Sequence, residues 1–361
     1  MILLNPGPVT LSERVRGALT SGDWCHREPE FAELTREINA ELVGIYPEMR
    51  DEFAAVTMTG SGTSAVEAML ASFAPADGST LVVANGVYGE RMARILAAYR
   101  KPHELLQLPW TSPLDMDAVL LMLDEHPDIT HVATVHHETT TGRLNDIDAL
   151  GALCRDRNLP MLLDGVSSFG AERIDPVGWN LDAVAGTANK CLHGVPGLSF
   201  VIGRQAIWER PRPQVGSVYL DLYGYYAGQH GDGFSPFTQS VQVAFALREA
   251  IAELQEAGGW QARRETYLQR AATIHKELGS HDVKSLLNDS EYSCVLRSYL
   301  LPANLSYATL HDDLKAQGFV IYAGQGELAE QIFRLAYMGD IRRADLDALC
   351  SALQSAISRA R

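Results

Sequence analysis

The sequence has no long apolar run, no block of lysine and arginine, and no paired cysteines. A membrane-spanning helix needs roughly 18 or more apolar residues in succession, and no stretch approaches that length. Nucleic acid selects clustered positive charge, whereas here 45 acidic residues face 30 basic ones, a formal net charge of −15 over 361 residues. The five cysteines (Cys25, Cys154, Cys191, Cys294 and Cys350) form no Cys-X-X-Cys pair and are odd in number. That argues for reduced thiols rather than a disulfide frame or a zinc site. The first residues, Met1-Ile-Leu-Leu-Asn-Pro-Gly-Pro8, carry no basic segment and meet proline too early for a secretory leader. We therefore expect a cytoplasmic protein with no nucleic-acid or membrane partner. With 46% hydrophobic and 21% charged residues and no low-complexity tract, the chain is of ordinary globular composition. Its length suits two domains, or one large and one small.

The opening residues read as an extended arm, because Pro6 and Pro8 lack donors and fix φ. After Pro29, Phe31, Leu34, Ile38, Leu42 and Ile45 recur at helical spacing until Pro47. From residue 53 short apolar runs (53–58, 80–84, 131–135, 160–163, 181–185 and 198–202) alternate with helical patterns (64–73, 91–99, 116–123 and 147–155). Runs without period-two alternation are expected of strands covered on both faces. This repetition predicts an α/β fold with a mostly parallel sheet between helices. Two long helices, 241–257 and 260–278, flank Gly258-Gly259. Beyond them strands (292–298, 319–322, 332–337) mix with helices (307–317, 343–358) in a small α+β unit. The expected division is an arm at 1–14, a large domain at 15–255 and a small C-terminal domain at 256–361.

Four loops after predicted strands carry candidate chemistry. Gly60-Ser61-Gly62-Thr63 opens a helix, where small residues, hydroxyls and free N–H groups suit an anion. His136-His137-Glu138-Thr139-Thr140-Thr141-Gly142 is rich in hydroxyls but lacks a metal-ligand spacing. Asp164 ends an apolar run, where a carboxylate demands a partner. Lys190 stands alone among small and apolar residues; such an amine, once desolvated, forms Schiff bases readily. An anion cradle, a hydroxyl loop, an acid and a lysine, in that order at strand ends, match the phosphate, 3′-oxygen, pyridine nitrogen and aldehyde of pyridoxal 5′-phosphate.

The chain resembles the class V, fold-type-I aminotransferases, and within them the branch that acts on 2-aminoethylphosphonate and pyruvate. The stretches that carry the resemblance are Asn5–Thr10, Gly60–Ala68, Asn85–Arg91, His137–Gly142, Asp164–Gly170, Ala188–Cys191 with Gly194–Gly197, Gln317–Tyr322 and Phe333-Arg334. The resemblance implies a homodimer with shared active sites and a fold-type-I architecture, with a large cofactor-binding domain and a smaller α+β domain. It makes Lys190 and Asp164 the catalytic pair, the lysine binding the aldehyde and the aspartate holding the pyridine nitrogen. Ser61, Gly62 and Thr63 would take the phosphate, Tyr88 would stack on the ring, and Thr139, Val166 and Asn189 would line it. Thr238 would reach the phosphate in the neighbouring subunit, and Arg334 would anchor the substrate anion. Small-molecule amines and 2-oxo acids are the expected partners, and no metal is. Alanine–glyoxylate or serine–pyruvate transfer, a related lyase reaction, and a non-catalytic sensor or carrier stay open as alternatives. So do the direction of the reaction and the parts played in specificity by His137, His193 and residues 23–28.

Overall fold

The computed structural model describes residues 1–210 and 214–359. Seven strands form its main sheet in the order Phe53–Gly60, Gly197–Arg204, Leu181–Thr187, Met161–Asp164, Ile129–Val135, Ser79–Ala84, His103–Gln107. All run in one direction except Gly197–Arg204, which is antiparallel to both neighbours. Successive residues of each strand feed opposite cores. Leu81, Val83, Met161 and Leu163 join Phe31, Leu34, Ile38 and Leu42 of the helix Pro29–Gly44 on one side. Val82, Ala84 and Leu162 join Val66, Leu70 and Leu96, from the helices Gly62–Phe73 and Val87–Ala98, on the other. Burial on both faces explains why the strands read as unbroken apolar runs.

The expected strands of this sheet are all present, with ends shifted by a few residues. One strand escaped the sequence reading: His103–Gln107 lies at the sheet edge, is half exposed and carries polar residues at three of its five positions. The expected loop at 60–63 is also tighter than anticipated. The strand runs through Gly60 and the helix begins at Gly62, so Ser61 alone makes the turn.

A third apolar cluster draws Tyr267, Ile274, Leu296, Phe333, Leu349 and Leu353 together with Leu4 and Val9 of the arm. Its sheet pairs Leu296–Leu300 and Tyr322–Ala323 with Ile332–Ala336, all antiparallel. The strand expected at 292–298 therefore starts later. Ser293 Oγ and the Cys294 N–H both donate to Glu172, in the segment between the main-sheet strands Met161–Asp164 and Leu181–Thr187, at 2.7 Å each, and this draws the segment out of strand pairing. The arm contributes a short strand, Ile2–Leu3, parallel to Phe319–Val320. It then passes over the carboxyl ends of the main strands, where Gly7, at φ +118°, approaches Lys190 and Asn189.

Gly186 faces Phe200 across the antiparallel pair, and an added Cβ would enter the space of the phenyl ring. Overpacking of this kind costs about 1–3 kcal/mol. Gly186→Ala should lower the denaturant midpoint accordingly without changing the slope of the transition; an unchanged midpoint would refute this account of the central sheet.

Candidate active site

The carboxyl ends of the parallel strands, with the amino end of the reversed one, open on a cavity of about 520 Å³. Crevices at strand ends are where open α/β sheets bind ligands. Ser61, Gly62, Thr63, Tyr88, Asp164, Val166, Asn189 and Lys190 all line it, so the chain brings together eight of the eleven residues singled out from sequence.

At one end, the helix Gly62–Phe73 points its N-terminus into the cavity. Ser61 is its N-cap, yet makes no side-chain capping bond; the Ser64 N–H turns back to Ser61 O at 2.9 Å, which leaves the Gly62 and Thr63 N–H groups to an outside acceptor. Gly62 is required by proximity: a Cβ there would come within 2.6 Å of Val166 Cγ1. Glycine thus lets the helix start, the Asp164 turn and Thr187 close around one small volume.

Asp164 is the last residue of its strand and only 6% exposed. Burial pushes its carboxyl pKa up, against the pull of a 2.9 Å hydrogen bond from the Val166 N–H and of the more distant Lys190 and Arg91 charges. No cation pairs with it directly among the described residues. Lys190 lies in a turn stitched by His193 N–H to Lys190 O (2.9 Å) and Gly194 N–H to Ala188 O (2.8 Å). Its Nζ stands 5.8 Å from the centre of the Tyr88 ring. Asn189 Oδ1 accepts a hydrogen bond from Thr187 Oγ1 at 2.8 Å.

Tyr88 is held by a residue whose role the sequence reading did not assign. Glu138, fully buried, accepts from the N–H groups of Tyr88 and Gly89 with one oxygen and from Thr140 N–H and Oγ1 with the other. The Glu138 carboxyl therefore caps the helix Val87–Ala98 from across the sheet, a favourable place for negative charge. Burial still pushes its pKa up, with the Thr140 and Gly89 donors opposing. The adjoining loop is tied by a reciprocal pair between the amides of Asn85 and Asn145.

Thr139 and Arg334 stand behind the wall rather than in it. Thr139 Oγ1 is buried without a partner among the described residues. Arg334 is fully buried; its Nε donates to Ala323 O and its Nη1 to Thr139 O, at 2.7 Å each, and its guanidinium lies 5.5 Å from the centre of the cavity-lining Tyr322 ring. No carboxylate pairs with it among the described residues, and burial pulls its pKa down. Thr238 is exposed and does not reach this chain's own cavity. Four further wall residues with polar side chains, Arg91, Thr187, Tyr322 and Gln325, have no role assigned from sequence. Arg91 and Tyr322 lay inside quoted motifs, and their neighbours drew the attention.

The neighbouring histidines each contact the surrounding chain, though His137 Nε2 has no partner among the described residues. His137 donates from Nδ1 to Ser167 O, and burial drives its pKa down to about 3; His136 shares a hydrogen bond with Ser168 Oγ. His193, at φ +65°, accepts from the Gly339 N–H at 2.8 Å and adjoins the Tyr267 hydroxyl, linking the lysine turn to the C-terminal cluster.

Residues 48–312 match the model of the class-V aminotransferase family. The chain belongs to that family. It is 36% identical to the 2-aminoethylphosphonate–pyruvate transaminase of Vibrio vulnificus (strain CMCP6), over 99% of this chain and 97% of that one. It is 33% identical to the enzyme of the same name from Bacteroides fragilis (strain YCH46), over 98% of both. A bifunctional phosphonoacetaldehyde hydrolase/aminoethylphosphonate transaminase of Clostridioides difficile is 34% identical over 99% of this chain, which spans only 56% of that longer protein. Among solved structures, pyridoxamine-pyruvate aminotransferase from Mesorhizobium loti superposes with a TM-score of 0.89 at 26% identity, covering 100% of this chain and 92% of that one. An aspartate aminotransferase of Thermus thermophilus gives 0.90 at 24%, covering all of both chains, and bears on the fold alone. The fold is that of the fold-type-I transferases, and the chain is an aminotransferase dependent on pyridoxal 5′-phosphate.

The cavity fits that cofactor on its own terms. It offers free helix N–H groups for a phosphate, a buried carboxyl lacking a cation for the pyridine nitrogen, and an amine for the aldehyde. Because the folded pKa of Asp164 lies above its unfolded one, the folded chain retains the proton between them, and stability from this position falls as pH rises through that window. Asp164→Asn should therefore raise the melting temperature of the cofactor-free protein at pH 7, with the gain fading below the ordinary aspartate range. A loss of stability at pH 7 would contradict the desolvation argument.

Proposed function

We propose that this chain moves the amino group of 2-aminoethylphosphonate to pyruvate, giving phosphonoacetaldehyde and L-alanine, in either direction. The observation that carries the substrate reading is Arg334, a buried guanidinium without a carboxylate partner, set behind the cavity that holds Lys190 and Asp164. A planar cation of this kind serves a phosphonate or a carboxylate by paired hydrogen bonds. One residue can thus receive both substrates in turn. The names of the relatives support the same choice.

When bound, pyridoxal 5′-phosphate supplies an aldehyde that takes up amines and a pyridinium ring that accepts the electron pair of a deprotonated carbon. Lys190 Nζ is the amine that would hold the cofactor aldehyde, and the same nitrogen, when not so engaged, would serve as the base that holds and moves the proton of the substrate carbon. Asp164 would hold the proton on the pyridine nitrogen, and a cation there would offset the desolvation that raises the Asp164 pKa. Tyr88 would stack on the ring, Val166 and Asn189 would line it, and Ser61, Gly62 and Thr63 would bind the phosphate, with Thr139 behind the wall holding Arg334 through its carbonyl.

The working unit is proposed to be a homodimer in which Thr238 of each protomer serves the other's phosphate site. Its exposure, together with exposed Val218 and Tyr219, supports this. A reducing, cytoplasmic setting accords with five free cysteines; among the described residues no helix is long and apolar enough to cross a membrane. The break at Gly258-Gly259, both at positive φ, supports a division between the large and small domains near residue 256.

Holoenzyme mixed with 2-aminoethylphosphonate should lose its visible cofactor absorbance, recover it on addition of pyruvate, and give alanine with parallel initial-rate lines. A response to serine or alanine without one to 2-aminoethylphosphonate would replace this substrate, and unchanged colour with every amine would leave a binding protein. Arg334→Lys should raise KM for both amine and 2-oxo acid by roughly thirtyfold, the equivalent of about 2 kcal/mol for a charged hydrogen-bond pair. A change confined to one substrate would show that the two anions use different anchors.

A further inference from the structure

Arg91 lines the cavity, and none of the roles assigned above uses it. It lies one turn beyond Tyr88 on the helix Val87–Ala98. Its guanidinium carbon sits 4.8 Å from the centre of the Tyr88 ring, within cation–π range. Its Nη1 donates to Thr63 Oγ1 at 3.2 Å, and no carboxylate pairs with it among the described residues. In a chain of net charge −15, an arginine that faces a cavity unpaired is set against the average field.

We propose that Arg91 is the cation that selects the phosphorylated form of the cofactor, acting together with Thr63. This rests on the pyridoxal 5′-phosphate reading of the site and extends it. The chemistry follows from the donor count. A threonine hydroxyl has one proton and two lone pairs. With Nη1 donating to one lone pair, Thr63 Oγ1 keeps its own proton to donate, and Thr63 is the second residue of a helix whose N-cap makes no side-chain bond. Ser61 and the helix terminus bring only hydroxyl and amide dipoles, whereas a phosphate dianion is stabilised further by a full charge nearby. Arg91 brings that charge and orients the hydroxyl. Its contact with Tyr88 fixes the distance between the phosphate end and the ring that stacks on the pyridine. Arg334, held by Thr139 and Ala323 at the other side of Tyr322, remains the group for the substrate anion. The two arginines divide two anions between them.

The test compares pyridoxal 5′-phosphate with pyridoxal, which has the aldehyde and ring but no phosphate. Both are titrated by absorbance and tryptophan fluorescence into the full-length chain stripped of cofactor, as wild type, Arg91→Met, Arg91→Lys, Thr63→Ala and the Thr63→Ala/Arg91→Met double variant. The wild type should prefer the phosphorylated form strongly. Arg91→Met should cut that preference by roughly tenfold to a hundredfold by weakening pyridoxal 5′-phosphate alone, as expected for a lost charged hydrogen-bonding group. Arg91→Lys should restore part of it, and the double variant should lose less than the sum of the single losses. Inorganic phosphate should compete with the phosphorylated cofactor less well in Arg91→Met than in wild type. An undiminished preference in Arg91→Met overturns the proposal, as does an equal loss for both ligands, which would reduce Arg91 to a support for Tyr88. A raised amine KM with unaltered cofactor binding would transfer Arg91 to the substrate and likewise overturn it. Failure of the wild type to bind pyridoxal 5′-phosphate at Lys190 would instead remove the underlying reading.

Discussion

The structure depends on a carboxyl kept out of water at the end of a central strand. Asp164 is buried with a single backbone donor, and its raised pKa records a desolvation that the polypeptide does not offset. Around it the chain arranges what such an acid needs from outside. The helix start at Gly62, the Val166 turn and the Lys190 turn all approach within the reach of one small ring, and Gly62 is the residue that permits the approach. A cationic ring nitrogen would complete the electrostatics that folding leaves open. The site is thus less a hole than an unfinished ion pair.

The second constraint is that the groups facing this acid are positioned by others deeper in the fold. Tyr88 stands on a helix whose first turn is gripped by Glu138, so the hydroxyl loop and this cavity-lining ring form one unit although 50 residues separate them. The turn carrying Lys190 is fastened on the far side by His193 to Gly339, and Arg263 donates to the carbonyl of Cys191. These bonds join the lysine to the C-terminal cluster rather than to the sheet alone. Side chains fixed in this way lose little freedom when a ligand arrives, which is how binding energy is kept for chemistry.

The main sheet was legible in sequence because burial on both faces leaves an unbroken apolar signature, and helices between such runs repeat with clear 3.6-residue spacing. Where only one face or one edge is covered the signal fails. The edge strand His103–Gln107 looks like loop for that reason; the 292–295 segment is buried and looks like strand, but Ser293 and Cys294 spend their donors on Glu172. The candidate site divides on the same principle. Glycines, an isolated lysine and a lone aspartate at strand ends are conspicuous, since each violates its local background. Glu138 and Arg91 are not, because an acidic residue in a polar loop and an arginine on a helix are ordinary until tertiary structure shows one capping a helix across the sheet and the other facing a cavity unpaired.

The placement of Arg334 adds a mechanical consequence. Its two short hydrogen bonds run to opposite parts of the chain: Nη1 to the carbonyl of Thr139 beside the main sheet, and Nε to the carbonyl of Ala323 in the small sheet. The guanidinium is therefore a tie between the two layers as well as a charge. An anion drawn to it meets a cation whose orientation already records how the small sheet sits over the cavity, with Tyr322 and Gln325 lining the wall between them. A displacement of one layer against the other would have to break a backbone hydrogen bond to a buried charge, and such bonds are among the costliest to lose. The residue proposed to receive the substrate anion thus also ties together the two layers that shape the cavity, so its charge is held in place without a flexible pocket.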